Sequence, residues 1–184
     1  MKKTLIVIFL LLLILAPLIS AEKSEEKMKT LIVYYSYTGN TAACADTLAK
    51  ELNADIERLE DVKRPGFLKA IVLGSYAAHK GESWPIQSTK KDISSYDRIF
   101  IGAPIWWFRT APELNTFIDQ NDFSGKEVVV FVTMASSDPQ KAFDAITDRV
   151  TSKGGKVTST FSIATSGLSK EDVVIKAKEI AEKY

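Results

Sequence analysis

The 184-residue sequence predicts an α/β fold, a parallel sheet with helices on both faces in three layers. Two observations predict it. Short β-rich runs alternate with stretches of helical periodicity, the rhythm of right-handed βαβ units. Three of those runs, Thr30 to Tyr35, Arg98 to Ile105 and Glu127 to Thr133, are strongly apolar rather than alternating, as in strands covered on both faces.

Each element follows in turn. Thr30 to Tyr35 is the first strand. Thr41 to Leu52 is a helix, with Ala43, Cys44, Thr47, Leu48 and Leu52 close to one stripe. Asp55 to Leu59 sets Ile56 and Leu59 among charges, as a short strand near the sheet edge does. Gly66 to Lys80 reads as a helix through Phe67, Ile71, Leu73, Tyr76 and Ala77, although Gly74 and the β-branched pair Ile71 and Val72 oppose it. Arg98 to Ile105 is the next strand, with Pro104 at its exit. A loop bracketed by Pro104 and Pro112 opens a helix near Ala111 that carries Leu114, Phe117 and Ile118 inward. Glu127 to Thr133 is the fourth strand. The following helix starts near Pro139, whose ring suits a first turn, and ends near Gly154 and Gly155. Lys156 to Ala164 alternates as a strand, and Ser169 to Glu182 closes the chain as a helix with Ser169 as cap and Asp172 at its third position. The count is five strands and five helices.

The chain divides into residues 1–21, a linker 22–28 and one domain over 29–184. Thr4 to Ile19 is almost wholly apolar, preceded by Lys2 and Lys3 and followed by the polar stretch Ala21 to Lys27, the layout of a secretory signal peptide or an uncleaved membrane anchor. As a helix it reaches about 24 Å against a hydrocarbon core of roughly 30 Å. The expectation is an exported or membrane-anchored protein on the extracytoplasmic face, with any membrane contact through residues 4–19. Lys and Arg total 24 against 23 Asp and Glu, a balance that does not argue for a nucleic-acid partner. The sole cysteine, Cys44, excludes an internal disulfide, and the sole histidine, His79, removes the usual zinc and triad chemistries; no metal site is expected.

The chemistry is concentrated between the first strand and the first helix, in Ser36, Tyr37, Thr38, Gly39, Asn40 and Thr41. A helix that opens at the mouth of a parallel strand has N–H groups without partners, and a dianionic phosphate satisfies them and gains from the helix dipole. Ser36, Thr38 and Thr41 add hydroxyl donors, Asn40 an amide, and Gly39 lets the backbone curl around the anion. No Gly-x-Gly-x-x-Gly or Gly-x-x-x-x-Gly-Lys-Ser/Thr motif competes with this reading. The loop resembles the phosphate loop of the flavodoxin family, whose Ser/Thr-x-Thr-Gly-x-Thr pattern is matched by Ser36, Thr38, Gly39 and Thr41.

A second loop, Ala103 to Glu113, contains Trp106, Trp107 and Phe108 in succession. Three adjacent large aromatics at a strand exit cannot all pack inward, so at least one is expected to be partly exposed, where a planar ring could stack; each alone could equally cover the core. Gly102 to Trp107 is similar to the family segment that runs along the isoalloxazine ring. The resemblance covers nearly all of Lys29 to Tyr184. It implies a three-layer flavodoxin-like sandwich with a five-stranded parallel sheet of order 2-1-3-4-5, and FMN as cofactor beyond the carboxyl ends of the strands. It further implies cofactor contacts from Ser36 to Thr41, from Pro104, Ile105, Trp106, Trp107 and Phe108, and from Met134, Ala135, Ser136 and Ser137 at the fourth strand's exit. Two departures stand out: Met134 to Asp138 lacks the glycines that many relatives have, and Trp106 to Arg109 contains none, so a backbone flip there is strained.

The implied function is an FMN-binding redox protein in electron transfer, exchanging electrons with a redox partner protein or a small-molecule donor or acceptor. An FMN-dependent NAD(P)H or quinone oxidoreductase and a non-enzymatic module for a phosphoryl ligand are the alternatives. Arg109 could serve the flavin's N1 edge or be a solvated loop charge. Cys44 reads as an inert core thiol, and His79 as a surface residue or a proton donor to substrate.

Overall fold

The computed structural model describes residues 28–63, 66–136 and 138–184, with the side chains of Phe67 and Ile71 outside the description. The apolar N-terminal segment, nearly all of the linker and Ser137 lie outside the described residues. No helix among those described is long and apolar enough to cross a membrane.

The central sheet follows the path β2-β1-β3-β5-β6, all parallel, and a sixth strand, β4, pairs with β3. The strands are β1 (Thr30–Tyr34), β2 (Asp55–Arg58), β3 (Arg98–Trp106), β4 (Arg109–Thr110), β5 (Glu127–Met134) and β6 (Lys156–Ala164). The expected five-stranded sheet is corrected on this point. β3 does not stop at Ile105 but runs on to Trp106 and folds back antiparallel, with Ile105 opposite Thr110 and Trp106 opposite Arg109. Pro104 is tolerated inside β3 because it lies near the strand's end, where its carbonyl still accepts from Ala111 N–H.

Alternation within the apolar runs fills two cores. Leu31, Val33, Ile99, Ile101, Val128 and Val130 face one side, packed by Leu114, Phe117 and Ile118 of α4 (Pro112–Gln120) and Ile146 and Val150 of α5 (Gln140–Ser152). Ile32, Phe100, Val129 and Phe131 face the other, packed by Cys44, Ala45 and Leu48 of α1 (Asn40–Leu52) and Val173 and Ala177 of α6 (Lys170–Ala181). α6 begins with the expected capping box: Ser169 accepts from Asp172 N–H, and the Asp172 carboxylate accepts from Ser169 N–H.

The expected helix over 66–80 is broken into α2 (Phe67–Lys69), a π-helical turn (Ala70–Gly74) and α3 (Ser75–Lys80). Gly74 is the point of closest approach to β3. A Cβ there would stand 2.6 Å from Cζ3 of Trp106, so the indole can lie on the helix backbone only because residue 74 has no side chain.

Candidate functional site

β1 delivers Tyr35 and Ser36 to the carboxyl end of the sheet's centre, and the chain turns within a few residues into α1. Ser36 is buried, and its Oγ accepts from the backbone N–H groups of Gly39 and Ala42, both at 3.2 Å. Gly39 is the N-cap of α1 at φ 99°, a conformation that side chains rarely adopt. The buried Thr41 hydroxyl lies 2.7 Å from that of Thr133, which ties the loop to β5, two strands away. Ser36 and Thr41 therefore shape the turn. The exposed Thr38, the Asn40 amide and the backbone N–H groups of Asn40 and Thr41 are the donors it offers to an anion, since those of Ala42 and Ala43 go to Ser36 Oγ and the Gly39 carbonyl.

A charge joins them that the sequence reading passed over. The Lys170 ammonium, at the start of α6, stands 3.3 Å from the position a Cβ on Gly39 would take. No local motif could have signalled it, because Lys170 reaches the loop only through the packing of α6 beside α1.

At the other end of the site, Trp106 is half-buried. Its ring meets the rings of Tyr35 and Tyr37 edge-on, each with centroids 6.0 Å apart, while Gly74 lies beneath it. Trp107 and Phe108 form the two-residue loop of the β3–β4 hairpin with φ 47° and 65°. Both angles are positive, as in the tight hairpin turns that normally select Asn and Gly. The two side chains are 59% and 46% exposed. Trp107 stands 5.7 Å from the His79 ring, and Lys141 Nζ lies 5.7 Å from the centroid of Phe108. Arg109 donates to the carbonyl of Lys141 on α5.

Of the residues expected to hold a cofactor, the structure gathers Ser36 to Thr41 with Trp106. Thr133 carries the same neighbourhood to Met134, a buried residue whose carbonyl accepts from Thr165 N–H at 2.7 Å. Pro104 and Ile105 lead into Trp106 within β3; Ala135 and Ser136 are exposed at the β5 exit. Trp107 and Phe108 lie beside His79 of α3 and Lys141 of α5. His79 is exposed, and burial pushes the Cys44 thiol up to about 12, which leaves it a poor nucleophile.

One further residue escaped the sequence reading. Glu113, second in α4, is fully buried, and neither carboxylate oxygen has a hydrogen-bond partner. In the sequence it looks like an ordinary acid in a helix's first turn, favoured by the dipole. Only the fold places it against Asp61. Burial first, then the neighbouring Asp61, raises its pKa to about 8.

A family model described as flavodoxin matches residues 75–172. The chain belongs to the flavodoxin family. Among curated relatives, "NAD(P)H dehydrogenase (quinone)" of Rhodopseudomonas palustris is 30% identical over 143 residues, covering 75% of this chain and 65% of the relative. "Flavodoxin 1" of Escherichia coli is 26% identical over 106 residues, 55% of this chain and 47% of the relative. The chain thus spans 65% or less of the length of these family members. Among solved structures, a Bacteroides uniformis protein described as a flavoprotein superposes with a TM-score of 0.66 at 27% identity, covering 82% of this chain and 98% of that one. The Lactobacillus acidophilus flavoprotein in complex with FMN shares the fold at a TM-score of 0.64 and 24% identity, over 73% of this chain and 93% of that one.

Proposed function

We propose that this flavodoxin-family chain binds FMN at the carboxyl ends of β1, β3 and β5 and acts as a redox protein in electron transfer. One observation carries the reading. Hydroxyls, helix-terminal amides and the Lys170 ammonium converge on the loop Ser36 to Thr41, and the broad apolar face of Trp106 stands one ring contact from that loop, at Tyr37. A phosphate monoester answers the first group and a flat ring answers the second. The Lactobacillus acidophilus complex with FMN, which shares the fold, supports the choice of ligand.

FMN, when bound, supplies the electron-carrying chemistry. The chain's own residues do the rest. The first turn of α1 and Lys170 oppose the phosphate charge, Ser36 and Thr41 hold that turn in shape, and Trp106, fixed by Gly74, Tyr35 and Tyr37, offers one wall to the ring. The exchange partner is a redox protein or a small-molecule donor or acceptor, and residues 1–21 carry the domain out of the cytosol or anchor it there; cell fractionation checks the latter.

Titration of the purified protein with FMN tests the reading. Quenching of flavin fluorescence at one equivalent is expected, with riboflavin, which lacks the phosphate, at least about tenfold weaker. Absence of both quenching and heat of association overturns it and favours the module for another phosphoryl ligand. A second reading, an FMN-dependent NAD(P)H or quinone oxidoreductase, draws support from two relatives named NAD(P)H dehydrogenase (quinone) that match 75% of the chain, a third matching 50%, against 55% for Flavodoxin 1. Oxidation of NAD(P)H by a quinone in the presence of the FMN-loaded protein favours it over the carrier.

A further inference from the structure

We propose that Glu113, with Asp61 and Tyr35, forms a proton-binding site in the wall behind Trp106, and that its occupancy is linked to reduction of the bound flavin. The linkage rests on the FMN reading; the proton site itself does not.

The geometry leaves an ionised Glu113 without support. The residue is fully buried, and neither carboxylate oxygen has a hydrogen-bond partner. The Tyr35 hydroxyl, which also favours the Glu113 anion, bonds Asp61 at 3.2 Å to Oδ2 and 3.4 Å to Oδ1. Asp61 is in turn held in place, its carbonyl accepting from Gln87 Nε2 and its backbone bridged to Ile86. A second buried carboxylate beside Asp61 would be both dry and repelled. Protonation removes both penalties, because neutral Glu113 becomes the missing donor and gives its proton to Asp61. The two acids therefore share one proton, and the pair holds one negative charge.

The charged groups nearby on β2 and α4 are engaged elsewhere. Arg58 and Glu60, at the end of β2 and just beyond it, pair with each other, and Asp119 later on α4 pairs with Arg149. In the segment against α4, Glu82 offers its carbonyl to Asn115. The backbone amide of Glu113 and the Tyr35 hydroxyl favour the anion but are outweighed by burial and by Asp61.

The site adjoins the proposed ring wall. Trp106 meets Tyr35 edge-on, and Tyr35 bonds Asp61, so only side chains separate the acid pair from the platform, and charge is felt strongly through such a medium. Two electrons from an external donor and one solvent proton leave the flavin ring with a negative charge. Where Glu113 is already protonated, no further proton is needed. Where it is ionised, the new charge draws one more proton from solvent onto Glu113, and the overall uptake becomes two electrons and two protons. The changeover falls near pH 8, where Glu113 loses its proton.

Two measurements on the full chain separate the parts. Infrared difference spectra of the FMN-free protein between pH 6 and pH 10 should lose a protonated-carboxyl band with a midpoint near pH 8. Glu113→Gln should abolish the band, and Asp61→Asn should move its midpoint down. Absence of a titrating carboxyl overturns the site even if FMN binds. For the FMN-loaded protein, the midpoint potential should fall by about 30 mV per pH unit below the changeover and by about 59 mV above it, one and two protons for two electrons. Glu113→Gln should keep the shallower slope throughout. A wild-type slope without a break, or a break that persists in Glu113→Gln, overturns the linkage. Failure of FMN to bind overturns the linkage with the functional reading, while the infrared result still decides the proton site.

Discussion

At the phosphate end of the candidate pocket the backbone is held at every step: Ser36 Oγ takes two N–H groups, Gly39 supplies the left-handed cap, and Thr41 bonds Thr133. At the ring end the hairpin loop bends through Trp107 and Phe108, two bulky residues at positive φ with their side chains largely in solvent. The first turn is made by residues suited to it. The second is imposed on residues that are not, by contacts of its flanks: Trp106 on Gly74, and Arg109 on the carbonyl of Lys141. Backbone strain of this kind persists only where surrounding structure over-determines it. The contrast assigns rigidity to the anion site and stored strain to the ring site.

The sharpest way to break that contrast is at Thr41. Thr41→Val keeps the shape but leaves the buried Thr133 hydroxyl without its partner, which should cost about 1–3 kcal/mol. The double variant Thr41→Val with Thr133→Val removes both polar groups and should cost less than the two single changes added together. Urea midpoints of the four proteins check this. Simple additivity would mean that the hydroxyl pair does not fasten the loop, and the phosphate end would lose its claim to be the rigid one.

The same contrast explains how far the sequence could be read. Runs such as Ile99 to Ile101 and Val128 to Val132 are buried on both faces, so composition alone locates them. The phosphate loop and the capping box of Ser169 and Asp172 are equally legible, since their chemistry lies within six residues. β4 was missed because its two residues acquire strand geometry only by pairing with the end of β3. The π-helical turn at Ala70–Gly74 packs on Trp106, thirty-two residues beyond Gly74, and the weak helix signal at Gly74, Ile71 and Val72 is its local trace. Glu113 and Lys170 carry no local signature of their roles, because each depends on a partner brought close by the fold: Asp61 for one, Gly39 for the other.

At the ring end the expected effect has the opposite sign. Replacing Trp107 by Asn and Phe108 by Gly supplies the residues that a hairpin loop with two positive φ angles prefers, at the loss of the covered part of side chains that are 59% and 46% exposed. The double variant should be more stable than the wild type by about 0.5–1 kcal/mol. A stability loss in thermal or urea unfolding would show that contacts with His79 and Lys141 outweigh the strain. Coupled to an FMN titration, the same variant separates the roles of the aromatics: unchanged affinity leaves Trp106 as the ring platform, whereas a large loss assigns Trp107 or Phe108 to the site as well.

The smallest effect is expected from Lys170. Its ammonium is exposed, so solvent and salt screen it, and an attraction across such a distance is worth little on the scale of the preceding changes. It is nonetheless the cation that the fold brings to Gly39, and a phosphate seated on the first turn of α1 would lie within its reach. Lys170→Gln should weaken FMN about two- to fivefold at low ionic strength and leave riboflavin unchanged, since riboflavin has no phosphate for the lysine to oppose. Lys170→Arg should keep most of the affinity, and the difference between wild type and Lys170→Gln should shrink as salt is added. An equal loss for both flavins would place the effect in the packing of α6 against α1. No loss for either would mean that hydroxyls and helix-terminal amides neutralise the phosphate unaided, as the sequence of the loop by itself implies.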